Sequence, residues 1–343
     1  TTAEADTLQS VTDRGFTTTC SIQVASLTAT GKIIGGDTNT ANGSRSAVLG
    51  GDVNTANGDC SSVVGGYINA ANGQFSNVAG GNNNTANGDY AAVLGGKNNK
   101  ACGGYSNVAG GIGNEACADY SNVAGGYNNR AIGARSNVVG GTYNCASGIS
   151  SNIGGGSNNK ANGGCSNVAG GYDNCSIGAR SNVAGGSRNT ACGDRSNIAG
   201  GELNYTGTNP ALSGAPDEPY PVGLSGHNAF IGGGKSNQAI GNCSSVVGGI
   251  QNISCGTESN IAGGSSNTAI GNCSNVAGGR SNCAIGPNSN VAGGSNNCAS
   301  GNNSNVAGGY INTACGNYSN VAGGGRNTAC ADYSNVAGGY YNV

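Results

Sequence analysis

The stretch Ser304–Tyr318 reads SNVAGGYINTACGNY, and Ser319–Tyr333 repeats it as SNVAGGGRNTACADY. Both follow a 15-residue unit, S-N-V-A-G-G-x-x-N-x-A-x-G-x-x, which recurs twelve times from Gly31 and eight times from Ala229, twenty in all. Positions 5 and 6 of the unit are Gly in every copy, position 9 is always Asn, and position 3 is always Val or Ile. A strict short period of this kind predicts a solenoid in which each unit forms one coil stacked on the last.

The composition of the unit favours β-structure. Two adjacent glycines would cost a helix roughly 1 kcal/mol each relative to alanine, whereas β-branched residues and tyrosines suit short strands. Gly does not recur at every third residue, which excludes a collagen helix, and disorder would not require a fixed phase. The sequence therefore predicts an all-β fold, a β-solenoid (β-roll) of about 20 coils of 15 residues.

Positions 1, 3, 5, 9, 11 and 13 hardly vary and carry small residues, whereas the other positions differ from unit to unit. Since side chains alternate along a strand, we expect the constant set to face the inside of a thin coil. The Gly-Gly pair and the Gly at position 13 are expected at corners that need a positive φ. The position-9 asparagines predict either a stacked amide ladder or a row of left-handed turn residues; examples are Asn39, Asn129, Asn189, Asn267 and Asn342.

Position 4 lies on the face opposite position 3, yet it is always apolar or Gly, as at Leu49, Leu94 and Val139. An exposed stripe of apolar groups along a rod is expected to be covered by a partner. The same stripe on identical chains would do this, so we expect a homo-oligomer, specifically a homotrimeric fibre. The alternative is a sparsely apolar solvent face, because alanine tolerates exposure.

Charge and residue types exclude several functional classes. The chain of 343 residues has a formal net charge of −2, only 9% charged residues and one His, His227. It therefore lacks the basic footprint of a nucleic-acid-binding protein, and it has no apolar run of the ~18 residues that a membrane helix needs. So few titratable groups also argue against an enzyme, and we assign no catalytic, cofactor-binding or metal-binding residue. Calcium binding and ice binding would need a regular Asp or Thr array, and both residues recur only intermittently.

The fifteen cysteines fall at repeated positions of the unit. Neighbouring coils ~4.8 Å apart would bring equivalent cysteines within disulfide range. The candidate pairs are Cys102–Cys117, Cys283–Cys298 and Cys315–Cys330. The alternative is that Cys serves as a small apolar residue, since Ile takes its place in other units.

Tyrosines at position 15 of successive units predict an exposed stack. Tyr90, Tyr105 and Tyr120 form one such run, and Tyr318 and Tyr333 form another. A tyrosine ring offers an apolar plate with a polar tip, which can bind a sugar, but cross-strand aromatic pairs also simply stabilise sheets.

An insert interrupts the repeat near its middle. We divide the chain into a leader or attachment segment with a short strand at 1–30, solenoid repeats at 31–204 and 229–343, and a Pro-rich inserted loop at 205–228. Proline cannot continue a ladder, and long loops on rigid scaffolds often carry binding sites. A tolerated insertion is the alternative. The candidate contact residues in this loop are Tyr205, Asp217, Glu218 and Tyr220.

The column V-A-G-G-x-x-N-x-A-x-G resembles the head repeat of trimeric autotransporter adhesins, V-A-I-G-x-x-S-x-A-x-G. That resemblance implies a trimeric left-handed β-roll, although this unit has 15 residues rather than 14 and Gly replaces the bulky Ile. The leader Ala5–Gly15, ADTLQSVTDRG, followed by Thr17–Thr19, is similar to leader segments of phage and large-virus tail fibres.

Together these features predict a non-enzymatic structural and adhesive fibre. The favoured hypothesis is a viral tail or capsid fibre that projects a host-surface glycan-binding surface. The alternative is a cellular surface adhesin or a self-assembling extracellular filament subunit. The expected partners are further copies of the chain, with possible end-to-end stacking, and a host glycan or protein receptor at an extracellular or virion surface.

Overall fold

A computed structural model describes residues 31–207 and 225–343. These residues form a parallel β-solenoid of about 19 turns without helix, which confirms the predicted all-β solenoid. None of them forms a helix that could cross a membrane. The leader 1–30 lies outside the described residues, as do 208–224 of the insert.

Each coil contributes two strands of two residues, except the last described coil, which contributes one. In chain order, β1 to β24 are Ile33–Ile34, Thr40–Ala41, Ala47–Val48, Thr55–Ala56, Ser62–Val63, Ala70–Ala71, Asn77–Val78, Thr85–Ala86, Ala92–Val93, Lys100–Ala101, Asn107–Val108, Glu115–Ala116, Asn122–Val123, Arg130–Ala131, Asn137–Val138, Cys145–Ala146, Asn152–Ile153, Lys160–Ala161, Asn167–Val168, Cys175–Ser176, Asn182–Val183, Thr190–Ala191, Asn197–Ile198 and Tyr205–Thr206. After the insert, β25 to β39 are Phe230–Ile231, Gln238–Ala239, Ser245–Val246, Ile253–Ser254, Asn260–Ile261, Thr268–Ala269, Asn275–Val276, Cys283–Ala284, Asn290–Val291, Cys298–Ala299, Asn305–Val306, Thr313–Ala314, Asn320–Val321, Thr328–Ala329 and Asn335–Val336.

The odd-numbered strands form one parallel sheet, and the even-numbered strands form a second. Each strand pairs with the equivalent strand of the next coil, so that Val108 of β11 lies beside Val123 of β13. Position 7 adds a third ladder of isolated parallel bridges, such as Tyr67 with Asn82. Because the offset between coils is one unit, equivalent residues stack into columns along the rod.

The core is thin and is built from small side chains. Between the first and last coils, Val or Ile at position 3 and Ala at position 11 are fully buried, together with the Ser at position 1 and the Asn at position 9. Where position 11 carries a hydroxyl, the serine column supplies its partner: the Oγ atoms of Ser176 and Ser181 lie 2.6 Å apart. Position 4, by contrast, faces solvent, as the alternation predicts.

The corners differ in part from the prediction. Gly111, at position 6, does adopt a positive φ of 85°. Gly133, at position 13, does not, so that part of the prediction is wrong. A Cβ on Gly133 would collide with the backbone of Gly148 in the next coil, so Gly is required here for close approach.

Non-glycine residues at positions 8 and 15 supply the other left-handed conformations, with φ of 54° at Ile68 and 58° at Tyr105. A bulky or β-branched residue is strained in this region. The conformation points each backbone N–H at the preceding coil, where the Tyr105 N–H donates to the Asp89 carbonyl at 2.8 Å. Stacking hydrogen bonds therefore hold these residues in a conformation that local preference disfavours.

The first described coil departs from the regular register. Ile33 pairs with Ala47 and Ile34 with Val48, which is one residue out of step with the pairing of later coils. As a result, Ile33 is exposed, although it occupies position 3 of its unit.

The solenoid also extends further into the insert than the sequence boundary at 204. Tyr205–Thr206 is strand β24, which pairs with Thr190–Ala191 on one side and Gln238–Ala239 on the other. Gly207 stands at position 12 of this coil, and Gly226 takes position 13. The two glycine backbones are in contact there, because a Cβ on Gly226 would overlap the Gly207 backbone.

Candidate functional site

The position-9 asparagines form a buried column that joins successive coils. In Asn129, Nδ2 donates to the carbonyl of Gly125 at 2.9 Å and to that of Gly141 in the next coil at 2.8 Å. Its Oδ1 accepts the backbone N–H of Asn144 at 3.0 Å. The ladder thus runs from side chain to backbone, and these residues do not take the left-handed conformation. The five asparagines selected from the sequence all lie in this column: Asn39, Asn129, Asn189, Asn267 and Asn342.

Amide-on-amide ladders do exist, but they lie at other positions: one runs from Asn42 to Asn87 at position 12, and a longer one lies at position 2 on the outer side of the first sheet. Asn107 Nδ2 donates to Asn122 Oδ1 at 3.1 Å, and Asn122 donates in turn to Asn137 at 3.0 Å. These side chains are partly exposed. Sequence reasoning missed this ladder, although the recurrence of Asn at position 2 was an available signal.

The position-15 tyrosines stack as parallel plates. Ring centroids of Tyr90 and Tyr105 are 4.7 Å apart, those of Tyr105 and Tyr120 are 5.0 Å apart, and both pairs are inclined by 1°. Phe75 extends this stack at 4.9 Å. Tyr318 and Tyr333 form a second stack at 5.0 Å. Since neighbouring rings cover both faces of Tyr90 and Tyr105, these two residues offer a ligand their edges and hydroxyls rather than a flat plate.

The candidate residues of the insert are separated by the structure. Tyr205 lies in β24, at position 10 of its coil, and is half-buried. Asp217, Glu218 and Tyr220 lie outside the described residues, so their role stays a prediction.

Stacking brings together all three candidate cysteine pairs. Cys315 and Cys330 form a disulfide, with Cα atoms 4.5 Å apart. Cys102 and Cys117 are free thiols whose sulfur atoms lie 3.0 Å apart. Cys283 and Cys298 face each other directly in the second sheet and are also free.

In each free pair, a hydrogen bond between the two thiols lowers the pKa of one of them. The Cys117 thiol donates a hydrogen bond that lowers the pKa of Cys102 to about 7, and Cys283 likewise lowers the pKa of Cys298 to about 7. Burial acts in the opposite sense on the isolated thiol of Cys145, whose pKa it raises. The thiolate is the nucleophile in thiol chemistry, so Cys102 and Cys298 are the reactive members near neutral pH, whereas the pKa values of their partners Cys117 and Cys283 are raised.

We expect the alkylation rate of reduced Cys102 to rise through a midpoint near pH 7, because its thiolate is stabilised by Cys117. Cys117→Ala removes that donor and should move the midpoint to higher pH. Labelling with iodoacetamide in the presence of a phosphine reductant, read by peptide mass spectrometry, measures both profiles. Cys145 is the internal control; a Cys102 profile no lower in pH than that of Cys145 contradicts the prediction.

Acidic residues at position 14 have a structural role. Asp89 Oδ1 accepts the backbone N–H of Gln74 at 2.8 Å, and Asp119 Oδ1 accepts that of Gly104 at 2.9 Å. Within 31–207 and 225–343, no group of three or more His, Cys, Asp or Glu side chains could hold a metal ion. The recurrence of Asp therefore follows from coil stacking.

A polar groove lies between the position-8 and position-10 columns. It has a volume of about 440 Å³ and spans four coils. We call it the Gly113 groove, and its lining residues are Asn83, Thr85, Asn98, Lys100, Ile112, Gly113, Glu115, Tyr127 and Asn128. Sequence reasoning did not single out this set, because its members are spread over four units.

Comparison of the chain with protein-family models and with curated proteins finds no match. The structural features that bear on function are therefore the stacked columns, the thiol pairs and the Gly113 groove.

Proposed function

We propose that the protein is a non-enzymatic structural fibre that projects a glycan-binding surface towards a host, as a viral tail or capsid fibre does. The supporting feature is an uninterrupted stack of about 19 turns, which at ~4.8 Å per coil makes a rod of about 90 Å. Backbone hydrogen-bond ladders and close side-chain packing are enough to make such a rod stiff. The proposed location is an extracellular or virion surface.

The observation that carries the proposal is the exposed apolar column at position 4. Leu49 is 54% exposed, Leu94 is 59% exposed and Val139 is 62% exposed, and smaller apolar residues continue the column. A long apolar column that one chain leaves open favours association along the rod. Three copies packed side by side along this column would bury it at the centre of a homotrimer.

The resemblance to trimeric autotransporter adhesin heads and to tail-fibre leaders supports the same proposal. A cellular surface adhesin or a self-assembling extracellular filament is the second candidate. Those functions use the same rod and differ in what anchors it and in whether coils of different copies stack end to end.

Light scattering and negative-stain images of purified protein test the proposal. We expect three chains in a rod of defined length, and we expect the double variant Leu94→Lys/Val139→Lys to be monomeric, because charges cannot be buried along the shared column. Ile112→Lys is the matched control, since Ile112 is exposed but lies at position 7. A monomeric wild-type rod would overturn the trimer, and long polymers would favour the filament.

A further inference from the structure

The Gly113 groove is bordered on one side by a column of asparagine amides at position 8. Asn83 Nδ2 donates to Asn98 Oδ1 at 2.9 Å, and the next two members of the column are Gly113 and Asn128. The amide ladder is therefore interrupted at Gly113, which has no side chain to offer.

Because Gly113 has no side chain, the ladder leaves an amide donor on one side of it, at Asn98, and an amide acceptor on the other, at Asn128. Asn98 Nδ2, whose ladder partner would stand at Gly113, has no hydrogen-bond partner among the described residues. From the other side, Asn128 Oδ1 projects into the space that a Cβ on Gly113 would occupy. A ligand group that both accepts and donates a hydrogen bond, such as a hydroxyl or an acetamido group, would complete the ladder.

The opposite wall is the position-10 column, in which Glu115 stands between Lys100 and Arg130 of the two neighbouring coils. Glu115 Oε2 is paired with Arg130 Nε at 3.1 Å. The neighbouring Lys100 is exposed and has no ion-pair partner within the described part of the chain. A ligand carboxylate would find its complement there.

The remaining border is amphipathic. Ile112 and Tyr127 stand at position 7 of adjacent coils and are both about half exposed. A tyrosine edge beside amides and a cation is suited to the mixed apolar and hydroxylated surface of a sugar. At about 440 Å³ the groove falls within the size range of small-ligand sites, and its length over four coils suits a short oligosaccharide.

We infer that the Gly113 groove binds an acidic oligosaccharide. A sugar hydroxyl or acetamido group bridges Asn98 and Asn128, a carboxylate pairs with Lys100, and an apolar sugar edge lies against Tyr127. This inference rests on the proposed function only for the idea that such a sugar belongs to a host surface.

Titration of the full chain with a hyaluronan tetrasaccharide, with its carboxyl-reduced form and with a neutral chitin tetrasaccharide tests this inference. Gly113→Asn should weaken hyaluronan binding roughly tenfold or more, because it fills the gap and satisfies both amides. The fold should tolerate it, since Asn98 and Asn128 already take positive φ in this column and the atom that a Cβ on Gly113 would meet is the terminal Oδ1 of Asn128, which can rotate away. Ser281→Asn, at position 8 of a distant coil, is the matched control and should bind like the wild type.

Lys100→Gln provides a second variant that removes charge without filling the groove. It should weaken binding of hyaluronan and leave that of the carboxyl-reduced sugar unchanged, whereas Lys160→Gln, at position 10 elsewhere, should change neither. The inference is overturned if the wild type binds none of the three sugars, or if Gly113→Asn binds hyaluronan as tightly as Ser281→Asn does.

Attachment of labelled protein to host cells separates this inference from the proposed function. Attachment that persists in Gly113→Asn supports the fibre and places its receptor site elsewhere, which overturns the groove as that site. Tetrasaccharide binding that is lost in Gly113→Asn, without attachment of the wild type to cells, supports the groove and contradicts the adhesive function.

Discussion

Replacing Gly111 with alanine is expected to destabilise the solenoid by roughly 2–5 kcal/mol, the sum of left-handed strain and overpacking. Gly111 has a φ of 85°, and a Cβ there would collide with the Gly126 carbonyl and lie 2.5 Å from Asn114 Nδ2. The adjacent Gly110 has no atom within 4 Å of its Cβ position. Gly110→Ala should therefore change stability by less than about 1 kcal/mol.

Thermal unfolding followed by circular dichroism compares the two variants, and hydrogen exchange locates the loss. Since each coil contacts only its neighbours, amide protection in Gly111→Ala should fall first in the coils that contain Gly111 and Gly126. Equal unfolding temperatures for the two variants would show that the corner has no such steric demand.

The second large effect is expected at Asn129, in the buried column. Asn129→Ala removes three side-chain hydrogen bonds, two of them to the next coil, and leaves the buried N–H of Asn144 without its acceptor. The expected loss is roughly 2–4 kcal/mol. Asn122→Ala is the matched control: Asn122 also bonds to neighbouring coils, but water can replace its partners at position 2, and less than about 1 kcal/mol should be lost.

Asn129→Asp separates the contribution of the side-chain donor, Nδ2, to stability from that of the acceptor, Oδ1. An aspartate keeps the acceptor for Asn144 but turns an ionised oxygen towards the carbonyls of Gly125 and Gly141. Those carbonyls should raise its pKa in the folded state. The variant should then gain stability as the pH falls through that raised pKa, because the proton restores a donor, and lose it as the pH rises. A pH-independent difference from wild type would contradict this account.

The sequence period was sufficient to predict the coil, its parallel stacking and the side of each column. Because the period is fixed, each position of the unit faces the same way in every coil. Strand alternation then places position 3, as at Val108, inside and position 4, as at Leu94, outside. The corners at Ile68 and Tyr105 could not be predicted, because local preference argues against a left-handed isoleucine or tyrosine. There the hydrogen bond to the preceding coil prevails, and only the stacked structure reveals it.

The candidate sites divide in the same way. The tyrosine stacks and cysteine pairs need only the knowledge that residues 15 apart are neighbours, so the sequence predicts them directly. The groove depends on one missing side chain at Gly113, which is the only Gly at position 8 of the repeat; the sequence shows this exception but not which side chains flank it. Only the structure shows that Asn98 and Asn128 lie on either side of Gly113.

The contact between Gly207 and Gly226 gives the rod a natural grafting point. The strand register continues across the insert, from Asn197 to Phe230 and from Tyr205 to Gln238, so the coils before and after it stack as if it were absent. Closing a longer loop at such a junction costs little additional free energy. New sequence can therefore be gained or lost between Gly207 and Gly226 without changing the pitch of the rod, so this stretch can diverge while the coils stay in register.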